Sequence, residues 1–304
     1  MNKKKDNTPT VAVLIPMHNA SKTIEYTIAS LHSQTVKPDQ IVIVDDCSDD
    51  ISLMKAKELC PEAIFVELNE NVGAYHATFE GLDRVTCDYV VRCDADDELT
   101  PRFIETAKHW LSLHSYDIVC MPQLRVDHNK EDLSVFSANL EPPCEYLDVP
   151  HCLDAFFSSQ IPWYITGKVI RTSIFKSIRL SNIPKKIMLD DVFMTMIIYA
   201  VSHSYVRPDT SEGYIYHFGI GYFGTTKYSV TLKWWKELME MRMLQYKTNI
   251  MVLQQLGLDE YIERIADACE PLDLFETVPL LPCQDIADAM NIARNVLKFK
   301  YRGI

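Results

Sequence analysis

The chain has no basic surplus. Its 304 residues carry 30 Lys and Arg against 42 Asp and Glu, a formal net charge of −12 at pH 7. A protein built to grip a phosphate backbone needs a basic face, so nucleic acid is excluded as the principal ligand. No apolar run approaches the roughly 18 residues of a membrane span. The first apolar stretch, Val11 to Ile15, ends at Pro16, too short for a signal-peptide core. The nine cysteines are odd in number and include no C-x-x-C pair or zinc-type spacing. Cys93 and Cys120 lie in apolar runs, where a thiol acts as a small hydrophobe, which implies a reducing, cytoplasmic compartment. Internal repeats and low-complexity segments are also missing. What remains, 47% hydrophobic and 24% charged, is globular and long enough for one large domain or a domain with an appended lobe.

Residues 11 to 121 alternate short β-type runs with helical patterns, the sign of a parallel sheet flanked by helices. VAVLIP is the first strand, expected to stop at Pro16. A helix follows with Ser21 as its cap and Ile24, Ile28 and Leu31 as its buried stripe. IVIV, 41 to 44, opens directly into Asp45, Asp46, Asp49 and Asp50. A helix carrying Met54, Ala56 and Leu59, a strand over 64 to 66 and a helix over 73 to 85 come next. Tyr89 to Cys93 then runs into Asp94, Asp96, Asp97 and Glu98. Thr100 followed by Pro101 reads as a helix start, and Tyr116 to Met121 as a further strand. From 122 to 187 loops and short strands are expected. Residues 191 to 201 form a buried helix, and the chain after 229 is helical, its last helix over 285 to 298. Polar loops at strand C-termini mark the edge where open α/β sheets bind ligands.

Clustered carboxylates raise each other's pKa unless a cation or hydrogen-bond donors hold them charged. Asp94-Ala95-Asp96, at the end of a buried strand, can direct carboxylates to Mg²⁺ or Mn²⁺ while water and substrate phosphates complete the shell. The plainer reading, acids capping the helices that follow, is preferred for Asp49 and Asp50.

VAVLIPMHNASKTIEYTIASLHSQT, IVIVDDCSDD, NENVGAYHATFEG and DYVVRCDADDELTP, in that order, resemble the motifs of the family 2 glycosyltransferases. The likeness is dense over 10 to 125 and looser through about 225. It implies an α/β GT-A fold, Rossmann-like, with a mostly parallel sheet flanked by helices and a helical C-terminal extension. It further implies that Pro16, His18 and Asn19 lie against a nucleobase and that Asp46 accepts from the base with support from Asp45. Asn71 and Gly73 would border the nucleotide, Asp94 with Ala95 would approach the ribose or sugar, and Asp96 would ligate the metal, with Asp97 as a further candidate ligand. Ala77, Thr78 and Phe79 stand where family members often carry Ala-Arg-Asn, so a basic contact to the donor is missing.

Gly167 to Arg171 resembles the segment before the family's acceptor site, and Leu189 to Phe193 resembles its Glu-Asp motif. Asp191 is then the candidate catalytic base, Asp190 its nearest competitor, and a helix cap the alternative role for either. YIYHFGIGYFGTT, 214 to 226, suggests a mobile lid through Gly219, Gly221 and Gly224. His217 is a candidate metal or phosphate contact and Lys227 a candidate diphosphate partner. Trp163 and Tyr164 offer an aromatic platform for an acceptor sugar, with core packing as the alternative, and Lys185 and Lys186 are expected to be solvated. The Trp234–Trp235 pair and the basic tail Lys298, Lys300 and Arg302 could touch an anionic membrane, although such a stripe is usually core.

These expectations combine into a GT-A domain over 1–228, with a donor half over 10–125 and an acceptor half and lid over 126–228, and a helical region over 229–304. The implied activity is inverting, metal-dependent transfer from a nucleotide-diphospho-sugar, most simply a UDP-sugar, to a hydroxyl of a glycan or glycolipid in cell-surface polysaccharide synthesis. Two rivals are weighed. A nucleotidyltransferase would open with a glycine-rich phosphate loop, which IPMHNASK lacks. A phospho-acceptor signalling module would need only the first 125 residues. Ten carboxylates fall within 45–50, 94–98 and 190–191. Such a site would repel an anionic diphosphate, so a divalent cation is expected to be required.

Overall fold

In the computed structural model, the run Val11–Met17 forms an interior strand, β1, with every residue buried. The structure describes residues 8–128, 136–137, 142–180, 183, 185, 190–220, 240, 244 and 247–264. After β1 come α1 (Ile24–His32), β2 (Gln40–Asp45), α2 (Ser52–Leu59), β3 (Ile64–Glu67), α3 (Ala74–Leu82), β4 (Tyr89–Arg92) and β5 (Glu98–Leu99). The chain continues through α4 (Phe103–Leu113), β6 (Ile118–Cys120), β7 (Gln123–Asp127), β8 (Phe136–Ser137), β9 (Cys144–Tyr146), α5 (Leu153–Phe157) and β10 (Lys168–Arg171). It ends its sheets with α6 (Thr172–Ser177), α7 (Asp190–Val201), β11 (Tyr205–Arg207) and β12 (Tyr214–Phe218).

Eight strands make the main sheet, in the order β3-β2-β1-β4-β10-β6-β11-β9. The β3-β2-β1-β4 half is parallel, as the alternating sequence pattern requires, whereas β10 inserts antiparallel between β4 and β6. A second sheet has the order β5-β12-β7-β8. The apolar strands are buried on both faces, and full burial of each Val, Leu or Ile contributes about 1.5–3 kcal/mol. Helix α3 lies close over β1 and β2 because Gly81 has no side chain: a Cβ there would stand 2.3 Å from Leu14 Cδ1.

Several boundaries differ from the sequence reading. Strand β1 continues through Pro16 to Met17. The Pro16 nitrogen faces the β4 side, where pairing with β1 stops at Leu14 opposite Arg92, so no ladder donor is lost. Ser21 does not cap α1: its N–H donates to Asp50 Oδ2 (3.2 Å), and the helix begins after a turn closed on the Ala20 carbonyl. Thr100 does not cap α4 either, because its hydroxyl accepts from the Gly213 N–H (2.9 Å). A distant residue takes that role: buried Gln34 accepts from the Ile104 N–H (3.1 Å) and donates to the Thr100 carbonyl (2.7 Å).

The expected lid is also revised. Tyr214–Phe218 is a strand between β5 and β7, not a loop, while 221–226, with Lys227, lie outside the described residues. So do Lys186, Trp234 and Trp235, most of the region over 229–304 and its expected helix over 285–298.

The chain divides into two compact units, 1–186 with 190–225, and 187–189 with 226–304. In the second, the described residues form a helix over 247–256 and a short 3-10 turn, Asp259–Tyr261, with Val252, Leu253 and Tyr261 buried. No helix among the described residues is long and apolar enough to cross a membrane, and the seven described cysteines are free thiols.

Candidate active site

The parallel half of the sheet delivers three polar loops to one edge. From β1 comes the His18–Asn19 loop, from β2 the Asp45–Asp50 loop and from β4 the Asp94–Asp97 loop. His18 and Asn19 are exposed, and Asn19 takes the left-handed φ of 52°. Its amide oxygen accepts from the Asp49 N–H (2.9 Å) and its own N–H donates to Ser48 Oγ (3.0 Å), so the first two loops are cross-tied.

Asp46 is buried and accepts two backbone N–H groups, from Val72 on Oδ1 (2.7 Å) and Gly73 on Oδ2 (2.8 Å). These bonds dock the Asn71–Gly73 turn against the end of β2. Gly73 has φ 88°, open to glycine and strained for other residues, and it leads directly into α3. Asp45 is 4% exposed. One of its oxygens accepts from the Ser48 N–H (3.3 Å), and the other, Oδ1, is buried without a hydrogen-bond partner among the described residues. Of the two neighbouring acids, Asp45 therefore holds the free acceptor. Asp50 caps locally, as expected: against burial, which would raise it, bonds from Ser21 and Ser52 hold its carboxyl at about 2.

The loop after β4 is organised around a residue missed in the sequence reading. Arg92, the last residue of β4, has a side chain only 5% exposed. Its Nε donates to Asp94 Oδ1 (3.0 Å), and its Nη1 donates to Asp190 Oδ2 (2.9 Å) and Asp191 Oδ1 (3.3 Å) in the first turn of α7. One guanidinium thus gathers three candidate site acids from segments almost a hundred residues apart. A lone arginine inside the apolar run YVVR is the signal that could have exposed it, because a buried cation requires charged partners. Lys168, on β10, is a second buried cation: it donates to the Tyr164 carbonyl and lies over the Tyr164 ring at 4.4 Å.

These charges shift the acids. Burial, with Asp190 and Asp94 close by, pushes the Asp191 carboxyl up to about 7 against the opposing pull of Arg92 and Lys168. Asp96, raised by burial and by Asp94 against a hydrogen bond from its own backbone N–H, reaches about 6, and its carboxylate forms no ion pair among the described residues. Buried Ala95 separates it from Asp94.

Asp97 turns the other way. It accepts from the Tyr214 hydroxyl (2.6 Å) and from the His217 N–H (2.9 Å), joining the loop to β12. The Tyr214 hydroxyl in turn accepts from the Asp94 N–H (3.0 Å). Asp97 is 1% exposed, and burial with Asp96 and Asp94 raises its pKa well above the carboxylate range. It is a strut of the site rather than a ligand. Tyr26 braces the loop from α1 by donating to the Asp96 carbonyl (3.1 Å).

Two expected roles are corrected. Both ring nitrogens of His217 are engaged, Nε2 with Glu98 Oε1 (2.7 Å) and Nδ1 with His128 Nε2 (2.8 Å), so this arrangement leaves no lone pair for a metal. Tyr164 is buried at 6% exposure and packs on Lys168, so it is core; Trp163, 54% exposed, is the accessible ring of the pair. Lys185 is exposed as expected and pairs with Glu70 (2.5 Å).

An open α/β sheet whose strand ends carry an acidic cluster, joined by two further acids in the first turn of α7, is a fold of the GT-A type. Across 97% of this chain and 92% of the other, the structure is similar to Staphylococcus aureus TarS 1-349 in complex with UDP-GlcNAc, with a TM-score of 0.62 at 15% identity, a likeness of fold. Residues 12–156 match the family described as Glycosyl transferase family 2. It is 25% identical over 264 residues to the putative glycosyltransferase EpsH of Bacillus subtilis (strain 168), a match spanning 84% of this chain and 72% of EpsH. It is also 34% identical over 106 residues to the poly-beta-1,6-N-acetyl-D-glucosamine synthase of Staphylococcus aureus (strain COL), a match spanning 33% of this chain and 26% of the synthase. The enzyme is a glycosyltransferase, and the nucleotidyltransferase and signalling readings are set aside.

Proposed function

We propose that the enzyme transfers a sugar from a UDP-sugar to a hydroxyl of a glycan or glycolipid acceptor with inversion, in polysaccharide synthesis. The observation that carries this reading is the convergence of Asp94, Asp190 and Asp191 on Arg92, which brings an acid of raised pKa to the loop of the Asp-x-Asp motif. The UDP-GlcNAc held by TarS and the product named for the synthase support a UDP-sugar donor and a polysaccharide product.

The residues fit a hard divalent cation. Four carboxylates, Asp94, Asp96, Asp190 and Asp191, lie around buried Arg92, with Lys168 acting on Asp191, so that with all four ionised the acids outnumber the two cations. Asp96, unpaired and raised to about 6, would hold Mn²⁺ or Mg²⁺ with Asp94, and oxygen donors suit those ions. Bound there, the cation would neutralise charge on the departing diphosphate.

The chain's own residues supply the rest. Asp46 holds the 71–73 turn against the nucleotide and borders the base, with buried Asp45 supporting it from the end of β2. The exposed His18–Asn19 loop closes over the base beside Pro16. Asp191 takes the proton from the acceptor hydroxyl as that oxygen attacks the anomeric carbon opposite the diphosphate, so one displacement inverts the centre and no second protein nucleophile is needed. A carboxylate near 7 is well matched to that task. Trp163 offers its exposed face to an acceptor sugar.

The test is a panel of nucleotide-sugars with released UDP or GDP as the readout, with Mn²⁺ and with EDTA, followed by the product's anomeric configuration by NMR. Release confined to UDP-sugars, dependent on Mn²⁺ and giving an inverted product is expected. Retention of configuration would overturn the single displacement, and full activity in EDTA would overturn the metal requirement.

A further inference from the structure

We propose that Arg92 is the positioning residue of the reaction: its guanidinium, anchored on Asp190, fixes the base Asp191 relative to the donor-side acid Asp94. The proposal rests on the assignment of Asp191 as base.

A guanidinium at this depth is an expensive choice for stability alone. Removing such an ion from water costs several kcal/mol, and apolar replacements of buried ion pairs are often neutral or stabilising. The geometry gives Arg92 a different task. It sits at the last position of a strand flanked by β1 and β10, with its own backbone in register with Leu14 of β1. The planar fork then reaches two directions at once, with Nε on Asp94 in its own loop and Nη1 on the first turn of α7. A lysine ammonium, a point charge on a flexible stem, cannot reproduce that span.

The two acids of α7 are not held alike. Asp190 is the closer partner at 2.9 Å with a side chain 15% exposed, whereas Asp191 lies at 3.3 Å and is 26% exposed. The tighter bond anchors the helix end, and the looser one leaves Asp191 able to accept a proton from an incoming hydroxyl. Asp190 and Asp191 are therefore orienter and base rather than interchangeable acids. The helix N-terminus favours negative charge at both positions, so the arginine is needed for direction more than for neutralisation.

The experiment compares Arg92→Met, Arg92→Lys, Asp190→Asn and the Arg92→Met/Asp190→Asn double variant as full chains with a UDP-sugar and Mn²⁺, measuring kcat, KM and UDP affinity. Arg92→Met is expected to lose about 100-fold or more in kcat, the scale on which a misplacement of about 1 Å acts, with UDP affinity changed less than about threefold. Arg92→Lys should stay close to Arg92→Met. The double variant should be no slower than the slower single one, because both changes break the same link. In a fifth variant, Arg92→Ala, which leaves room for a small cation, added guanidinium should partly restore turnover, a response that a general loss of packing would not give.

Near-normal kcat in Arg92→Met while Asp191→Asn is inactive would overturn this proposal and leave the base assignment standing. Near-normal kcat in Asp191→Asn would instead remove the base assignment itself. Multiplying defects in the double variant, or loss of folding in both Arg92→Met and Arg92→Lys, would make Arg92 a structural residue and also overturn the proposal.

Discussion

Asp96→Asn should make the metal-free enzyme more stable while removing its response to metal. The carboxyl lies beside Asp94, unpaired, with its pKa raised from 3.8 to about 6. Ionising it within the fold costs roughly 3 kcal/mol more than in the unfolded chain, at 1.36 kcal/mol per pKa unit, and this is a ceiling. The sign follows from proton binding. Between the unfolded and folded pKa values the folded chain binds more protons, so stability present below about 4 is lost as pH rises through about 6. Asparagine carries no such loss. In EDTA, wild type and Asp96→Asn should melt together near pH 4, and the variant should melt several degrees higher at pH 7.5, at about 2–4 °C per kcal/mol for a domain of this size. Addition of Mn²⁺ with UDP should then raise the wild type, by about 2.7 kcal/mol at a hundredfold excess over Kd, and leave the variant unmoved. Calorimetry at the two pH values reads both effects. Equal melting at pH 7.5 in EDTA, or an equal rise with Mn²⁺ and UDP, would refute the reasoning.

Three other outcomes are expected. Asp46→Ala strips the acceptor from the Val72 and Gly73 N–H groups; it should cost about 2–3 kcal/mol in urea unfolding and weaken UDP binding measured by calorimetry. Gln34→Ala removes the buried cap of α4; it should cost about 1–3 kcal/mol while UDP affinity stays within error, since Gln34 touches no site residue. Turnover should fall as pH drops below about 7, where Asp191 becomes protonated, approaching a tenfold loss per pH unit in an initial-rate profile. A flat profile down to pH 5 would oppose that assignment.

The donor half was legible in the sequence because its signals are local. Largely apolar runs that end in acids, at Val44 to Asp45 and Cys93 to Asp94, place loops at strand ends whatever else the chain does. The helix with Asp190 and Asp191 in its first turn was legible for the same reason. The residues misread are those whose partners lie far away in sequence. Thr100 carries every local mark of a cap, yet Gly213 takes its hydroxyl and Gln34, some seventy residues earlier, caps the helix. The aromatic–glycine alternation around His217 suggested a lid because nothing local announces that β5 and β7 would pair on either side of it. Tyr164 could be platform or core until Lys168 came to rest against its ring. Arg92 was hidden among motif residues, and its meaning depends on a helix almost a hundred positions away.

Asp191→Asn separates binding from chemistry. Measured together on one preparation, UDP affinity in Mn²⁺ and single-turnover sugar transfer should diverge: affinity within about threefold of wild type, and transfer slower by about 10²–10⁴-fold, the range of a lost general base. Transfer at a near-normal rate with binding intact would contradict the assignment of Asp191 as the base.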